Sequence, residues 1–406
     1  MNITVYLGAN AGNDPALRDA VRALYGGAVT LSASRMDMAR SCHFAYFMRY
    51  GLKARERTGA GFDAPQIGTF VHDVMEHTLR QAKECGGLHT LSKEKLHALV
   101  RASIEEYIDR VLPDLCEKSA RFRYLFNRLC ATVERIMDEV SEELQSSDFE
   151  PLAFELEFGA DGQLPAITIR EENGTARVVG KVDRVDGWLH DGKLYLRVVD
   201  YKTGKKSFDL AELRYGLGLQ MLLYLFTLKE EGQMLFGGHE IVPAGVLYTP
   251  AREPMLRCAR DTEPEKIEKA LKKELRRSGM VLEDPAVLQA MEHSALESPC
   301  YLPIAVKRDG AVTGSLASAE QLGKLSKYVD HILHEITQEV FAGNIDADPY
   351  ARTPQQSACT YCEFASACHF ENGCGSDRME YIKATKNDEF WQYIDEVNGE
   401  GAHENG

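Results

Sequence analysis

The stretch GKVDRVDGWLHDGKLYLRVVDYKTG, residues 180–204, decides the fold class of this chain. Apolar and polar residues alternate on both sides of an Asp-Gly dipeptide at 191–192, which is typical of a two-residue β-hairpin turn. Such a hairpin brings Asp183 on the first strand close to the end of the second. Asp200 and Lys202 lie two residues apart on that second strand, so their side chains project from the same face. The sequence therefore predicts two carboxylates and a lysine together at one edge of a sheet.

These three side chains are suited to phosphodiester chemistry. Asp183 and Asp200 offer oxygen ligands for a hard divalent cation such as Mg²⁺, and Lys202 is suited to stabilise developing negative charge. The alternative is a solvated strand face with a weak surface ion pair, which is common for this spacing. The apolar run before Asp200 favours a site, because ligand sites in α/β proteins lie where buried strands reach the surface.

The pattern on either side of the hairpin predicts an α/β chain. Apolar residues recur at helical spacing in residues 67–85 and in two further segments, about 92–112 and 118–146. Later segments alternate between extended and helical patterns, with strands expected at 152–158, 166–170, 176–185, 193–201 and 241–249, and helices at 210–229, 261–279 and 318–342. This order indicates a mixed central sheet flanked by helices, with a helical insertion at about residues 88–148.

The two ends of the chain differ in pattern from the middle. Residues 1–28 are interpreted as an N-terminal appendage with a short strand at 1–10 and a helix at 14–24. Residues 29–372 are expected to form the main domain, and residues 373–406 a C-terminal tail. The glycines near the N-terminus lack the Gly-Lys-Ser/Thr of a phosphate-binding loop, so ATP hydrolysis is not expected from this chain.

The composition is that of a soluble globular protein, with 44% hydrophobic and 27% charged residues. No stretch approaches the roughly 20 apolar residues of a membrane span, and the first residues do not match a secretory signal. We therefore expect a cytoplasmic protein without a membrane partner. The formal net charge of -15 disfavours nonspecific binding to nucleic acid, so a nucleic-acid site would need local basic groups. The candidates are Lys202, Lys205, Lys206, Arg121, Arg123 and Arg128.

Three other motifs offer polar groups. GTFVHDVME carries His72 on an amphipathic helix, where a lone histidine is more often structural than a ligand. GLGLQMLLY carries Gln220 and Tyr224 four residues apart on one helical face, and core packing is the alternative for Tyr224. FELEFG carries Glu155, with Glu157 on the same strand face as its rival.

Three of the ten cysteines are tightly grouped, in the pattern C-x2-C-x5-C formed by Cys359, Cys362 and Cys368. Four thiolates suit an iron–sulfur cluster or zinc, so a fourth ligand is needed. Cys374 is the nearest candidate in sequence, and Cys42 lies ahead of the other motifs. Unligated buried cysteines are the remaining alternative, which the close spacing disfavours.

In their order along the chain, GTFVHDVME, GKVDRVD, VVDYKTG and GLGLQMLLY resemble the motifs of PD-(D/E)XK nucleases of the RecB branch, and in particular the nuclease domains of the AddB type. The resemblance implies a restriction-endonuclease-like α/β core. The metal ligands it implies, for Mg²⁺ or Mn²⁺, are His72, Asp183 and Asp200. The catalytic residues it implies are Asp183, Asp200, Lys202, Gln220, Tyr224 and, in a supporting role, Glu155.

The same resemblance implies a 4Fe–4S cluster held by Cys42 together with the grouped cysteines, and thus favours Cys42 over Cys374. Such a cluster acts as a staple at the C-terminal end that joins segments more than 300 residues apart. The implied activity is that of an exonuclease on single-stranded DNA ends, in double-strand-break repair and recombination with an AddA-like helicase. Two alternatives stay open: a CRISPR-associated RecB-like exonuclease that works without a helicase, and a non-catalytic DNA-binding module.

Overall fold

Helices and strands alternate along most of the chain. The computed structural model describes residues 15–55, 64–374 and 377–404. The α-helices are α1 (Pro15–Tyr25), α2 (Ala33–Ser41), α3 (His43–Tyr46), α4 (Ala64–Glu84), α5 (Lys93–Val111), α6 (Ala120–Gln145), α7 (Leu210–Arg214), α8 (Gln220–Glu231), α9 (Pro264–Glu274), α10 (Pro285–Met291), α11 (Ala319–Phe341), α12 (Ala365–Cys368) and α13 (Asn387–Glu404). The strands are β1 (Ala28–Leu31), β2 (Glu150–Phe158), β3 (Ile167–Glu171), β4 (Gly174–Val178), β5 (Gly180–His190), β6 (Lys193–Lys202), β7 (Glu240–Pro250), β8 (Ser278–Leu282), β9 (Ile304–Val306), β10 (Val312–Gly314), β11 (Leu316–Ala317), β12 (Tyr350–Thr353), β13 (Gln356–Ser357) and β14 (Glu380–Tyr381).

The centre of the fold is a six-stranded sheet in the order β11-β8-β7-β6-β5-β2. The pairs β2–β5 and β5–β6 are antiparallel, whereas β6 and β7 are parallel. Helix α8 makes the crossover that a parallel pair requires and packs on both strands. Helices α4, α5 and α6 pack on one another, and α4 also contacts β2. The predicted mixed sheet flanked by helices is therefore confirmed.

The predicted hairpin between β5 and β6 is also present. His190 pairs with Lys193 across a two-residue loop. Both loop residues have positive φ angles, 48° at Asp191 and 77° at Gly192. Positive φ at both positions defines a type I′ turn, which suits the right-handed twist of the two strands. The local sequence thus sets the register of the strands that carry the predicted site.

Two of the sequence predictions for strands and helices are wrong because each merges two separate elements into one. The expected helix at 210–229 is two helices, α7 and α8, since Gly216 and Gly218 adopt φ angles of 73° and 68°. The expected strand at 176–185 is divided between β4 and β5, which belong to different sheets.

The expected helix at 261–279 is also only partly present. Helix α9 ends at Glu274, and the segment that follows joins the central sheet as β8, between β7 and β11. A Cβ at Gly279 would lie 1.9 Å from the Val246 carbonyl oxygen, so glycine is required where β8 approaches β7. Tertiary pairing therefore overrides the helical character of the Lys- and Glu-rich residues before it.

The described parts of both chain ends pack against the main domain. The predicted strand at 1–10 lies outside the described residues, but the predicted helix at 14–24 corresponds to α1. Val21 on α1 is buried, and α1 contacts α11. Helix α13 also packs on α11, with Phe390 and Ile394 fully buried. None of the described helices is long and apolar enough to cross a membrane.

A set of charged side chains lies in the interior behind β5 and β6, and we call it the arginine network. Asp186 Oδ2 accepts hydrogen bonds from Arg184 Nη2 at 3.0 Å and from Arg197 Nε at 2.9 Å. Glu143 on α6 accepts from Arg277 Nη2 at 2.6 Å and lies 3.4 Å from Arg197 Nη2. All five residues are buried. The network joins α6, in the predicted helical insertion, to strands β5 and β6 and to Arg277, the residue before β8.

Candidate active site and cysteine cluster

The site lies where β5 and β6 separate. Their paired register ends at Arg184 and Val199, while β6 continues beside β7 as far as Lys202. The backbone N–H of Tyr201, beyond the end of the paired register, donates to Asp183 Oδ2 at 2.8 Å. The Asp183 side chain thus takes the place of the missing β5 backbone as the acceptor for the Tyr201 N–H, and its carboxylate lies at the edge of the sheet.

His72 reaches the same point from helix α4. Its Nε2 donates to the Tyr201 carbonyl oxygen at 2.9 Å, and its Nδ1 lies 3.4 Å from Asp183 Oδ1. Burial lowers the pKa of His72, but Asp183 and the Tyr201 carbonyl outweigh that effect and raise it to about 9. Because Nε2 keeps its proton on the carbonyl, Nδ1 is the nitrogen that faces the carboxylates and can bind a metal ion once deprotonated.

Glu155 and Glu157 were rivals in sequence, and the structure separates them. Glu155 is 13% exposed and its carboxylate lies 2.5 Å from Lys181 Nζ, whereas Glu157 is 54% exposed. Glu155 also has a φ of 49°, which is unusual for a residue with a side chain. Such strained backbone, in a strand that carries a bulge, is a recurrent way of aiming a side chain at a site.

Three side chains come together as a candidate metal centre. One ligand atom from each of His72, Glu155 and Asp183 lies within 4.8 Å of the others. An imidazole nitrogen with two carboxylates is a donor set that suits a divalent cation. Two of the predicted ligands, His72 and Asp183, belong to this group, and Glu155, predicted in a supporting role, is its third member.

Asp200 lies beside this group and pairs with Lys202. The Lys202 ammonium is 2.7 Å from Asp200 Oδ2 and donates to Oδ1 at 3.0 Å. Asp200 is only 4% exposed, and Oδ2 lacks a hydrogen bond of good geometry among the described residues. Burial and the neighbouring Asp183 raise the pKa of Asp200 to about 6, against the opposing effect of Lys202. A buried carboxylate whose pKa is raised by a second carboxylate nearby suits a site that binds a cation.

Gln220 and Tyr224 line a cavity next to the centre. The cavity has a volume of about 600 Å³ and is also lined by Ser32, Ser34 and Lys181. Gln220 Nε2 donates to the Tyr224 hydroxyl at 3.2 Å. The Tyr224 ring is buried in edge-to-face contact with Phe158, and a Cβ at Gly180 would clash with it at 2.5 Å. Tyr224 therefore packs in the core while its hydroxyl orients Gln220.

Two residues near Lys202 were missed by the sequence reasoning. Tyr248 on β7 holds its ring 5.7 Å from the Lys202 ammonium. Asp37 on α2 accepts a hydrogen bond at 2.9 Å from the backbone N–H of Gly218, in the loop before α8. Burial raises the pKa of Asp37. Asp37 had no detectable signal in sequence, because its partner lies 181 positions away.

Several basic candidates are already paired with acids. Lys205 and Arg252 share Glu274, Lys206 lies 3.4 Å from Glu212, and Arg128 pairs with Glu253. Neighbouring carboxylates therefore offset part of the positive charge of these side chains.

The four cysteines of the predicted cluster line one small cavity. Cys42, Cys359, Cys362 and Cys368 surround a space of about 70 Å³ whose other walls are largely apolar. Burial raises the pKa of Cys42 to about 12 and that of Cys359 to about 11. Cys374, the alternative fourth ligand, is exposed and does not line this cavity.

Comparison with known proteins agrees with these observations. Residues 30–369 match the PD-(D/E)XK nuclease superfamily. The chain is 31% identical over 386 residues to the B-type subunit of an ATP-dependent helicase/deoxyribonuclease from Thermoanaerobacter sp., covering 94% of this chain and 33% of that protein. It is 33% identical over 384 residues to the protein of that name in Acetivibrio thermocellus, with the same coverage, 94% and 33%.

The match in Clostridium botulinum strain Hall is 32% identical over 379 residues, or 92% of this chain and 33% of the relative. The chain thus spans about a third of the length of the curated relatives it matches. The family match extends over most of the described fold and includes every candidate residue of the metal centre. This chain belongs to the PD-(D/E)XK nuclease superfamily.

Proposed function

We propose that this chain hydrolyses phosphodiester bonds of DNA in a reaction that depends on a divalent cation, Mg²⁺ or Mn²⁺. The observation that carries the proposal is the convergence of His72, Glu155 and Asp183 within 4.8 Å, beside the buried Asp200 and Lys202 pair. Acidic groups this close repel one another unless a cation is shared among them. In a nuclease superfamily, the same arrangement supports a catalytic rather than a purely structural role.

The residues proposed to hold the cation are His72, Glu155 and Asp183, with Asp200 as a further carboxylate beside them. A divalent cation held there supplies Lewis acidity toward a phosphodiester. The Nδ1 atom of His72 gives up its proton to become a ligand, while the Nε2 proton stays on the Tyr201 carbonyl. The hydrogen bond from Nε2 to the Tyr201 carbonyl fixes the orientation of the imidazole ring.

Lys202 is proposed as the group that stabilises negative charge developing on the phosphoryl oxygens. Asp200 orients the Lys202 ammonium through contacts of 2.7 and 3.0 Å. Because the pair is largely buried, its electrostatic effect is stronger than it would be in water. Gln220, oriented by Tyr224, is proposed to donate to the substrate strand in the adjoining cavity.

The cysteine cavity is proposed to hold a 4Fe–4S cluster through Cys42, Cys359, Cys362 and Cys368. Four thiols around one apolar cavity form the donor set that such a cluster uses. Because burial raises the pKa of Cys42 and Cys359, these two thiols release protons when they bind metal. The proposed role is structural, since the cluster joins the segment before α3 to the segment after α11. Zinc is the alternative that iron analysis tests.

The names of the relatives support the biological setting that we propose. They are called subunits of an ATP-dependent helicase/deoxyribonuclease. We therefore propose that this chain acts as an exonuclease on single-stranded DNA ends, in double-strand-break repair and recombination. The proposed partner is an AddA-like helicase subunit, which would supply the unwound strand.

The experiment that tests the activity is a nuclease assay on end-labelled single-stranded DNA with and without Mg²⁺. Wild-type protein is expected to degrade the strand only with the cation, and Lys202→Ala is expected to lose nearly all of this activity. Lys193→Ala, at the other end of the same strand, is the matched control and is expected to cleave like wild type. Equal cleavage by wild type and Lys202→Ala would remove the proposal.

A further inference from the structure

At the end of strand β6, the backbone of Tyr201 bonds to two side chains instead of to strand β5. In an antiparallel ladder, every second residue exchanges both its N–H and its C=O bond with one partner on the next strand. The β5 ladder ends at Arg184 and Val199, so Tyr201 has no such partner on β5. Its N–H instead donates to Asp183 Oδ2 at 2.8 Å, and its carbonyl accepts from His72 Nε2 at 2.9 Å. One residue between Asp200 and Lys202 therefore holds two groups of the metal centre.

The side chain of Tyr201 points the other way, into the arginine network. Its hydroxyl accepts a hydrogen bond from Arg184 Nη1 at 2.7 Å, and both residues are buried. Arg184 is fixed in turn by Asp186, through contacts of 2.8 and 3.0 Å. The hydroxyl is therefore tied to a rigid interior structure, while the backbone of the same residue faces the site.

The network contains three guanidinium groups and two carboxylates, so it carries more donors than charged acceptors. Arg197 Nη1 has no hydrogen-bond partner among the described residues. The phenol oxygen of Tyr201 is thus an acceptor that a donor-rich interior needs. Removing this hydroxyl would leave Arg184 Nη1 without a hydrogen-bond partner. The end of β6, which no longer pairs with β5 at Tyr201, would then be held less firmly.

We propose that Tyr201 is a positioning residue for the metal centre. Its backbone holds Asp183 and His72 in place, and its hydroxyl anchors the residue to Arg184. The inference rests on the proposed function, since it assigns the hydrogen-bonding support of the ligands that function requires. Loss of an outer hydrogen bond of this kind typically lowers metal affinity by about 10–100-fold. The Tyr201 hydroxyl acts one step further away, so the expected loss is about tenfold.

The test is Mn²⁺ binding to the purified full chain, followed by the electron paramagnetic resonance signal of free Mn²⁺. Tyr201→Phe keeps the ring and removes only the hydroxyl. It is expected to bind one ion per chain with a dissociation constant about tenfold higher than that of wild type. Its cleavage at saturating Mn²⁺ is expected to approach the wild-type rate. A merely structural role would instead lower the number of competent sites per chain without changing the dissociation constant.

Tyr195→Phe is the matched control, because Tyr195 lies on the same strand but near the hairpin turn, against Trp188. It is expected to bind Mn²⁺ like wild type. If Tyr201→Phe is unfolded at the assay temperature, Arg184→Lys is titrated with Mn²⁺ in its place. Its dissociation constant for Mn²⁺ is expected to rise by the same factor. Unaltered Mn²⁺ affinity in the folded variant would overturn the inference while leaving the proposed function intact. A wild-type protein that neither binds Mn²⁺ nor cleaves DNA would overturn both.

Discussion

Two groups of charged side chains each include residues of strands β5 and β6, and their charges are arranged in opposite ways. The site edge gathers Glu155, Asp183 and Asp200, so carboxylates crowd one another. The arginine network gathers three guanidinium groups around Asp186 and Glu143. In the first group a carboxylate lies beside another carboxylate, whereas in the second the guanidinium groups outnumber the carboxylates.

The pKa values show what this difference does. Burial acts on both Asp200 and Glu143 and favours the protonated acid in each case. Asp183 adds to that effect and brings the pKa of Asp200 to about 6, whereas Arg277, Arg197 and Arg184 outweigh burial and bring the pKa of Glu143 to about 2. Burial acts on both carboxylates, so the neighbouring charge is what separates the pKa of Asp200 from that of Glu143.

The largest expected effect comes from neutralising the site edge. Asp200→Asn should lower the cleavage rate by about 10³-fold or more, because Lys202 loses the carboxylate that orients it. The same change removes repulsion with Asp183, so the thermal midpoint should not fall and is expected to rise. Cleavage and thermal unfolding are measured on the same preparation.

Asp191→Asn in the exposed hairpin turn is the control for that change, since Asn-Gly also suits a type I′ turn. It is expected to alter neither quantity. A large drop in the thermal midpoint of Asp200→Asn would mean that Asp200 is a structural residue, and the contrast between the two groups would be lost.

The arginine network should respond in the opposite way. Glu143→Gln leaves Arg277 without a counter-charge and Arg197 with Asp186 alone, and breaking such a buried pair costs about 3–5 kcal/mol of unfolding free energy. Because the folded pKa of Glu143 lies below its ordinary value, its contribution is fully present above about pH 4.5 and is lost as the pH falls toward about 2. The stability difference from wild type should therefore shrink over that range.

Chemical denaturation at several pH values measures this difference, with the exposed neighbour Glu142→Gln as the control. Metal affinity of folded Glu143→Gln is expected to change far less than its stability. A pH-independent difference in unfolding free energy would show that the charge of Glu143 is not what stabilises the fold.

The cysteine cavity sharpens the comparison, because burial is the main cause that raises the pKa of its Cys42 and Cys359 thiols. Cys42→Ser should lose the iron and the brown colour of anaerobically purified protein, and its thermal midpoint should fall as the loop it closes is released. Cys374→Ser should keep both, since Cys374 is exposed outside the cavity. Stoichiometric zinc in a colourless wild-type protein would contradict the cluster.

A smaller effect separates the two glutamates of β2. Glu155→Gln should raise the dissociation constant for Mn²⁺ by about tenfold, or about 1.4 kcal/mol, because it weakens one of three ligands. Glu157→Gln should change it by less than about twofold, since that side chain is 54% exposed and lies outside the ligand group. Isothermal titration measures both, and equal effects would reject the assignment of Glu155.

Local sequence signals predicted much of the fold and of the site. The Asp-Gly turn specified the β5–β6 hairpin, and apolar periodicity specified α5 and α6. The hairpin also brought Asp183 to the strand that carries Asp200 and Lys202. These features depend on residues close together in the chain, where spacing alone carries the information.

The remaining features depend on contacts between distant residues. Arg277 and Glu143 are 134 positions apart, so neither shows by its neighbours that it is buried and paired. Glu155 and Glu157 share a strand face in sequence, and only the positive φ of Glu155 and its approach to Lys181 distinguish them. Tyr201, between Asp200 and Lys202, contacts Asp183 and His72 through its backbone, and the residue types in the sequence do not indicate backbone contacts of this kind.

The central claim is that His72, Glu155 and Asp183 share one divalent cation. The most direct measurement is a crystal structure of the protein soaked in Mn²⁺, with an anomalous difference map collected at the manganese edge. The account predicts one strong peak per chain, about 2.0–2.5 Å from His72 Nδ1 and from a carboxylate oxygen of Glu155 and of Asp183. A peak bound elsewhere, or none among these three side chains at saturating Mn²⁺, would contradict it.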